Sequence, residues 1–298
     1  MAAAQERVIR RRVRTVRSTQ KITRAFELIA ASQIVRAQSR IAAAKPYLDG
    51  IREILTEAAR DAAGVAGRML GVPESPQKVL VVAIVADRGL CGAYNANVLR
   101  PTERMMRSGS SEFRLVTVGR KAQSYFRFRR IEVDSSFSGF SDRPSFSDAR
   151  QVAEVVTPAF LEEEVDQVLI VSTRFLSAGS QVVETRQLLP MPEPSGDSLE
   201  ESGDAARQGY TEFEPESSSL LVELVPRYVE TAIFDAMLEA SASEHTARQR
   251  AMAAATDNAE DLVKTLTRAM NRARQESITT EIMEIVGGAE ALRHEPTD

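Results

Sequence analysis

Residues 34–65 read IVRAQSRIAAAKPYLDGIREILTEAARDAAGV, and the spacing of their small and apolar side chains decides the architecture. Ile34, Ala37, Ile41, Ala44, Leu48, Ile51, Leu55, Ala58, Ala62 and Val65 follow one another in steps of three and four throughout. Such a repeat keeps one narrow stripe on a single side of an α-helix, which is the pattern of a coiled-coil seam. Upstream, Ile9, Val13, Val16 and then Ile22, Phe26, Ile29 keep the same spacing after one phase break. Within residues 5–66 the only helix-weakening residues are Pro46, Gly50 and Gly64, so residues 1–66 are expected to form one long helix. Pro46 is expected to kink or locally open it, because proline lacks the N–H of the helical ladder. Sixty helical residues at ~1.5 Å rise each make a rod of roughly 90 Å.

The other end of the chain carries a matching pattern. Val229, Ile233, Met237, Ala240, then Leu262, Leu266, Ala269, and Ile278, Ile282, Ile285, Ala289, Leu292 are again three or four apart. Helix is therefore expected from about Ser217 over residues 217–298, with Gly287-Gly288 either ending it or loosening it before the tail. Alanines 251, 253, 254 and 255 allow a second helix to approach closely. Two long helices at opposite ends suggest an antiparallel pair, with residue 220 beside 65 and residue 280 beside 5. A compact foot would then bear a shaft with a single-helix tip.

Residues 67–216 read differently. Val79 to Ala86 is an unbroken aliphatic run, the mark of a strand covered on both faces. Phe113–Gly119 and Gln167–Thr173 repeat it, and Gln181–Leu189 alternates. Helix-compatible stretches at about 94–107, 120–128 and 148–164 lie between them. The order strand, helix, strand implies an α/β domain with a mainly parallel, Rossmann-like sheet. From residue 190 the text turns to Pro, Ser, Gly and Glu, with eight acidic residues and one Arg between Glu193 and Glu216. Such a composition cannot support a core, so the acidic loop 190–216 reads as a solvated loop or a partly disordered linker.

Composition removes several classes of function. The 298 residues include one cysteine, Cys91, and two histidines, leaving no internal disulfide and little room for a zinc cluster. The run Val79–Ala86 is the longest uninterrupted apolar stretch, well short of the ~20 residues that span a bilayer. A soluble protein of a reducing compartment is expected. The net charge of −4 hides an asymmetry, because ten basic residues against Glu6 and Glu27 make residues 1–40 strongly cationic. These arginines are open to three readings: a solvated helix face, a collar for an acidic protein, or a phosphate-neutralising nucleic-acid contact.

The turn Asp87-Arg88-Gly89-Leu90-Cys91-Gly92 follows the first strand, where α/β proteins often bind ligands. It lacks both G-x-x-x-x-G-K-[ST] and G-x-G-x-x-G, so a tight turn needing two glycines and a small-molecule site both remain open. No base lies near Cys91 in sequence to activate it as a nucleophile. Nor is there an H-E-x-x-H or G-x-S-x-G pattern, and a self-contained enzyme is not expected.

At this point the residues resemble one family, the gamma subunit of F-type ATP synthases of bacterial type. The carrying motifs are Ser18-Thr19-Gln20-Lys21-Ile22-Thr23-Arg24-Ala25 with Ala30-Ala31-Ser32, the turn Asp87–Gly92, and Ala254-Ala255-Thr256-Asp257-Asn258-Ala259. Ala273-Arg274-Gln275, Ile278-Thr279 and Glu284-Ile285-Val286-Gly287-Gly288-Ala289 complete the set, in order along the chain. The resemblance implies a central-stalk rotor that couples proton flow through a c-ring to the catalytic sites, without cofactor or catalysis of its own. Its implied partners are three alpha and three beta subunits, one epsilon subunit and the c-ring, with one copy of this chain per complex. No nucleic acid is implied, and membrane contact only through the complex.

Resemblance also assigns residues. Lys21, Arg24 and Phe26 match the N-terminal coupling segment, with Phe26 standing where the family usually has Met. Arg248, Arg274, Gln275 and Thr279 match positions that face the beta subunits. Ile282, Ile285 and Ala289 would form a small apolar bearing at the tip, and Asp87, Gly89 and Gly92 the central turn. Ala253 stands where the family often has Lys, which removes one polar contact. A lone Cys91 implies no thiol switch. Because the match begins within the first twenty residues, a place at the cytoplasmic face of the bacterial plasma membrane is expected.

Overall fold

The computed structural model describes residues 2–61, 71, 75–192 and 217–293. Ala62 and Val65 of the expected seam, and the acidic stretch 193–216, lie outside the described residues. Helix α1 runs Ala2–Asp61, followed by β1 (Lys78–Ile84), α2 (Tyr94–Ser108), β2 (Glu112–Val118), α3 (Arg120–Phe128) and β3 (Ser135–Phe137). Then come α4 (Phe146–Leu161), β4 (Gln167–Phe175), β5 (Gln181–Leu189) and a 77-residue helix, α5 (Ser217–Arg293).

The strands form one sheet in the order β3-β2-β1-β4-β5. β1 pairs in parallel with β2 and β4, β2 in parallel with β3, and β5 closes the other edge antiparallel to β4. The unbroken aliphatic run explains why β1 lies at the centre. Its alternate side chains Leu80, Val82 and Ile84 enter one core, and Val79, Val81 and Ala83 enter the other. The first core is shared with α4 and with Leu48, Ile51, Leu55 and Ala58 of α1 and Val225, Val229 and Ile233 of α5; the second is closed by α2 and α3. A Ser145–Asp148 capping box starts α4. β3 escaped the sequence reading because three residues, two of them serine, carry no periodic signal.

α1 runs through Pro46 as one helix, and α5 continues through Gly287 and Gly288, so of the two readings of that pair an end to the helix is excluded. Pro46 leaves the carbonyl of Ala42 without its helical N–H partner, but both residues are exposed to solvent, while buried Leu48, Ile51 and Leu55 hold the helix.

The chain forms two compact units, Met1–Ile29 with Gln249–Asp298, and Ala30–Arg248. In the first, Val13 and Thr23 of α1 and Met252, Thr256 and Ala273 of α5 are the buried residues among those described. Thr23 and Thr256 hydroxyls meet at 2.8 Å. The register expected from the sequence puts residue 262 opposite 23, so the observed pairing with 256 is displaced by fewer than two helical turns.

Candidate functional site

In the second unit, the turn after β1 lies where the sheet changes direction. β2 and β3 add to one side of β1 and the chain returns to place β4 on the other. Ligands of open α/β sheets bind at that switch point. Here the position is filled from within. The Asp87 carboxylate accepts the backbone N–H of Arg120 at 3.0 Å, Gly139 at 2.9 Å and Ser141 at 3.2 Å, tying together the loops that follow β1, β2 and β3. Burial pushes its pKa up, but these N–H bonds and the Ser141 hydroxyl outweigh that and hold it below the usual range.

Helix α5 caps the same place. Tyr94 donates its hydroxyl to the Ala240 carbonyl at 3.0 Å, Ser243 to the Thr173 carbonyl at 3.4 Å, and the His245 ring meets the Asp142 carbonyl at 3.2 Å. Burial lowers the His245 pKa, favouring a neutral ring. Arg248, with 11% of its side chain exposed, pairs with Glu244 at 2.5 Å and reaches the Gly89 carbonyl at 3.4 Å. What space remains, between Tyr94, Val118, Phe140 and Met237, is about 10 Å³, room for one water at most. This packing disfavours a metabolite at the turn. Cys91 is buried and raised in pKa, by burial first and by Glu244 second, so its thiol stays protonated.

The turn needs one of its glycines for conformation. Gly92 takes φ 58°, while Leu90 rather than Gly89 occupies the other left-handed position at φ 62°. Gly89 contributes its carbonyl to Arg248.

The remaining sites expected from the resemblance lie on the helices of the first unit. Lys21, Arg24, Arg274, Gln275, Thr279, Ile282, Ile285 and Ala289 are exposed; Phe26 is 40% exposed and Ile285 72%. Arg24 forms an ion pair with Glu27 at 2.9 Å. Ile22, Leu28, Ile29, Ile278, Met283 and Val286 are exposed as well. The structure thus brings Arg248 to the central turn and leaves the other expected coupling residues at the surface.

Two charged clusters went unread in the sequence. Arg186 on β5 bonds Asp235 at 3.3 Å and Glu239 at 3.1 Å on α5, with Glu184 and Arg174 beside them. Burial, then the neighbouring Asp235, push Glu239 up to about 7. On α2, Glu103 gathers Arg107, Arg129 and the Tyr125 hydroxyl, and those bonds, Arg129 foremost, hold its pKa down to about 2. The i, i+4 spacings of Asp235 with Glu239 and of Glu103 with Arg107 were visible, but not their partners on other elements. Among the described residues no group of His, Cys, Asp and Glu is placed to hold a metal ion, and no helix is long and apolar enough to cross a membrane.

Within residues 30–248, then, α1 and α5 share a core with an α/β sheet whose switch-point crevice is closed. The family model for ATP synthase matches residues 5–292. The chain is 46% identical to the ATP synthase gamma chain of Mycolicibacterium vanbaalenii, covering 97% of this chain and 98% of that one. It is 42% identical to that of Desulfitobacterium hafniense, over 98% and 100%. This chain belongs to the ATP synthase family and, within it, to the gamma chains. Among solved structures, the Tetrahymena thermophila mitochondrial ATP synthase central stalk and c-ring matches with TM-score 0.61 and 26% identity, over 78% of this chain and 99% of that one. The Euglena gracilis mitochondrial enzyme in rotational state 3 matches in fold at TM-score 0.69 and 19% identity, over 99% and 98%.

Proposed function

We propose that this chain is the single central-stalk rotor of a bacterial ATP synthase, turning inside a ring of three alpha and three beta subunits. Its foot would rest on the c-ring beside epsilon at the cytoplasmic face, and the chain itself would make no bond. The carrying observation is the exposed apolar surface of the first unit, where Ile22, Phe26, Ile29, Ile278, Ile282 and Ile285 lie outside a thin buried seam. Neighbouring apolar side chains left open to water on each helix support a protein interface. An asymmetric helix pair within a threefold ring presents a different face to each beta subunit. Each catalytic site is thereby biased toward a different nucleotide affinity, and rotation permutes the biases. Apolar tip contacts at Ile282, Ile285 and Ala289 carry few directional bonds, so they release at each step. In this reading Lys21, Arg24, Phe26, Arg274, Gln275 and Thr279 face the beta subunits, whereas Arg248 acts from within by locking α5 onto the central turn.

A tagged chain purified from the source membranes and weighed by native mass spectrometry tests the reading. One copy with three alpha and three beta subunits, hydrolysing ATP, is the expected result. A monomer without ATPase partners would overturn it, and salt-dependent affinity for DNA or RNA would then favour the nucleic-acid alternative.

A further inference from the structure

On the outer side of α2 and α3, Arg100, Arg104, Arg107 and Arg129 line one open depression of about 350 Å³, with Glu103 and Ser108 completing it. Four cations against one carboxylate leave the depression strongly positive. Glu103 is buried, and its carboxylate accepts Arg129 Nε at 2.7 Å, Arg107 Nε at 2.9 Å and the Tyr125 hydroxyl at 2.5 Å. It therefore fixes two guanidinium groups side by side from below. Each guanidinium has five N–H donors, so the Glu103 bonds leave several on Arg107 and Arg129 uncommitted. Arg100 and Arg104, one helical turn apart, have no ion pair among the described residues.

We propose that this depression binds an anionic phosphate group. Pre-set guanidinium forks match phosphate oxygens in geometry and charge, and Arg100 and Arg104 supply the cations that Glu103 does not neutralise. The ligand is a free phosphate compound or an anionic phospholipid headgroup. Phe128, 83% exposed between Arg127 and Arg129, gives the lipid source a place to insert an apolar ring. This inference stands on α2 and α3 alone and does not depend on the rotor reading.

The full-length chain is titrated with inorganic phosphate and with pyrophosphate by calorimetry. In parallel it is sedimented with phosphatidylcholine vesicles that contain or lack phosphatidylglycerol. Binding of pyrophosphate marks the free-phosphate source, and binding only to phosphatidylglycerol vesicles marks the lipid source. In either case Arg100→Gln with Arg104→Gln weakens binding about tenfold or more, roughly what losing two charge-assisted contacts implies. The exposed pair Arg7→Gln with Arg11→Gln, which removes the same charge from α1, leaves binding unchanged. Circular dichroism checks that both variants keep the parent fold. Equal weakening by both pairs would show diffuse charge attraction and overturn the proposal. So would failure of the unaltered chain to bind either probe, or binding of a polyglutamate peptide alone.

Discussion

The two compact units are built from the same two helices and treat their apolar residues in opposite ways. In residues 30–248 the helices press Leu48, Ile51, Leu55, Val225, Val229 and Ile233 into a core closed by the sheet and α4. In the unit formed by 1–29 and 249–298, the buried apolar residues among those described are Val13, Met252 and Ala273, and the larger side chains at 22, 26, 29, 278, 282 and 285 face water. The heptad spacing is alike in both. Yet Ile22, Phe26 and Ile29, which keep that spacing, are exposed while Thr23 is buried, so periodicity alone states neither which side of a helix meets its partner nor how much of the remainder is covered. Covered side chains set stability, and the uncovered ones are available to a surrounding partner.

The largest test of this contrast pairs Ile233→Ala with Ile285→Ala. Ile233 is fully buried, so its truncation should lower unfolding stability by about 4 kcal/mol through lost burial and a cavity. The same truncation at Ile285 should stay within about 0.5 kcal/mol, as for surface sites. Urea unfolding midpoints of the two variants decide it, and similar losses would break the comparison.

Arg248→Ala sharpens it from the polar side. If the residue acts by locking α5 to the turn, its loss leaves the Glu244 carboxylate, 1% exposed, without its cation. A destabilisation of about 3 kcal/mol is expected. Adding Glu244→Gln should recover part of it, because the uncompensated charge is then gone. A variant of normal stability that fails only in coupling would return Arg248 to the surface role that the resemblance gave it.

Next in size are Asp87 and Glu239, whose pH effects have opposite signs. Asp87 has a depressed folded pKa, so its stabilisation is complete above the unfolded value and is lost as pH falls through the folded one. Asp87→Asn should cost about 2 kcal/mol at neutral pH and remove that part of the acid sensitivity. Glu239 is raised from 4.5 to about 7, so the folded state binds its proton more tightly. Its contribution is complete below 4.5 and is lost as pH rises through 7. Thermal melts of Glu239→Gln should therefore show a flatter profile between those values than the parent chain.

These tests fall on residues of uneven legibility. Val79–Ala86 identified the central strand because only a strand covered on both faces tolerates eight aliphatic residues in a row. The terminal repeats gave both long helices. Which residues of the first unit are covered was illegible, since Ile22, Phe26 and Ile29 keep the seam spacing yet are exposed while Thr23 is buried. Arg248 was assigned by position in a motif, but its structural partner, Gly89, is 159 residues away. Arg186 likewise meets Asp235 and Glu239 across 49 and 53 residues. Periodicity reports neighbours within one element, whereas charge pairs between elements depend on a register that the sequence leaves open.

The smallest effect on stability belongs to Arg274→Ala combined with Gln275→Ala. Both residues are exposed on α5 and follow buried Ala273, so the seam is untouched and the unfolding stability should change by less than about 0.5 kcal/mol. In the assembled complex the same pair should weaken ATP-driven proton pumping, because it removes charge and hydrogen-bonding capacity from a surface proposed to face the beta subunits. Pumping and ATP hydrolysis are measured together in reconstituted vesicles. Hydrolysis that persists while pumping falls locates the defect in transmission through the shaft. Unchanged pumping would show that these side chains do not carry the coupling, and would leave the apolar surface at Ile278, Ile282 and Ile285 as the part of the unit that meets the ring.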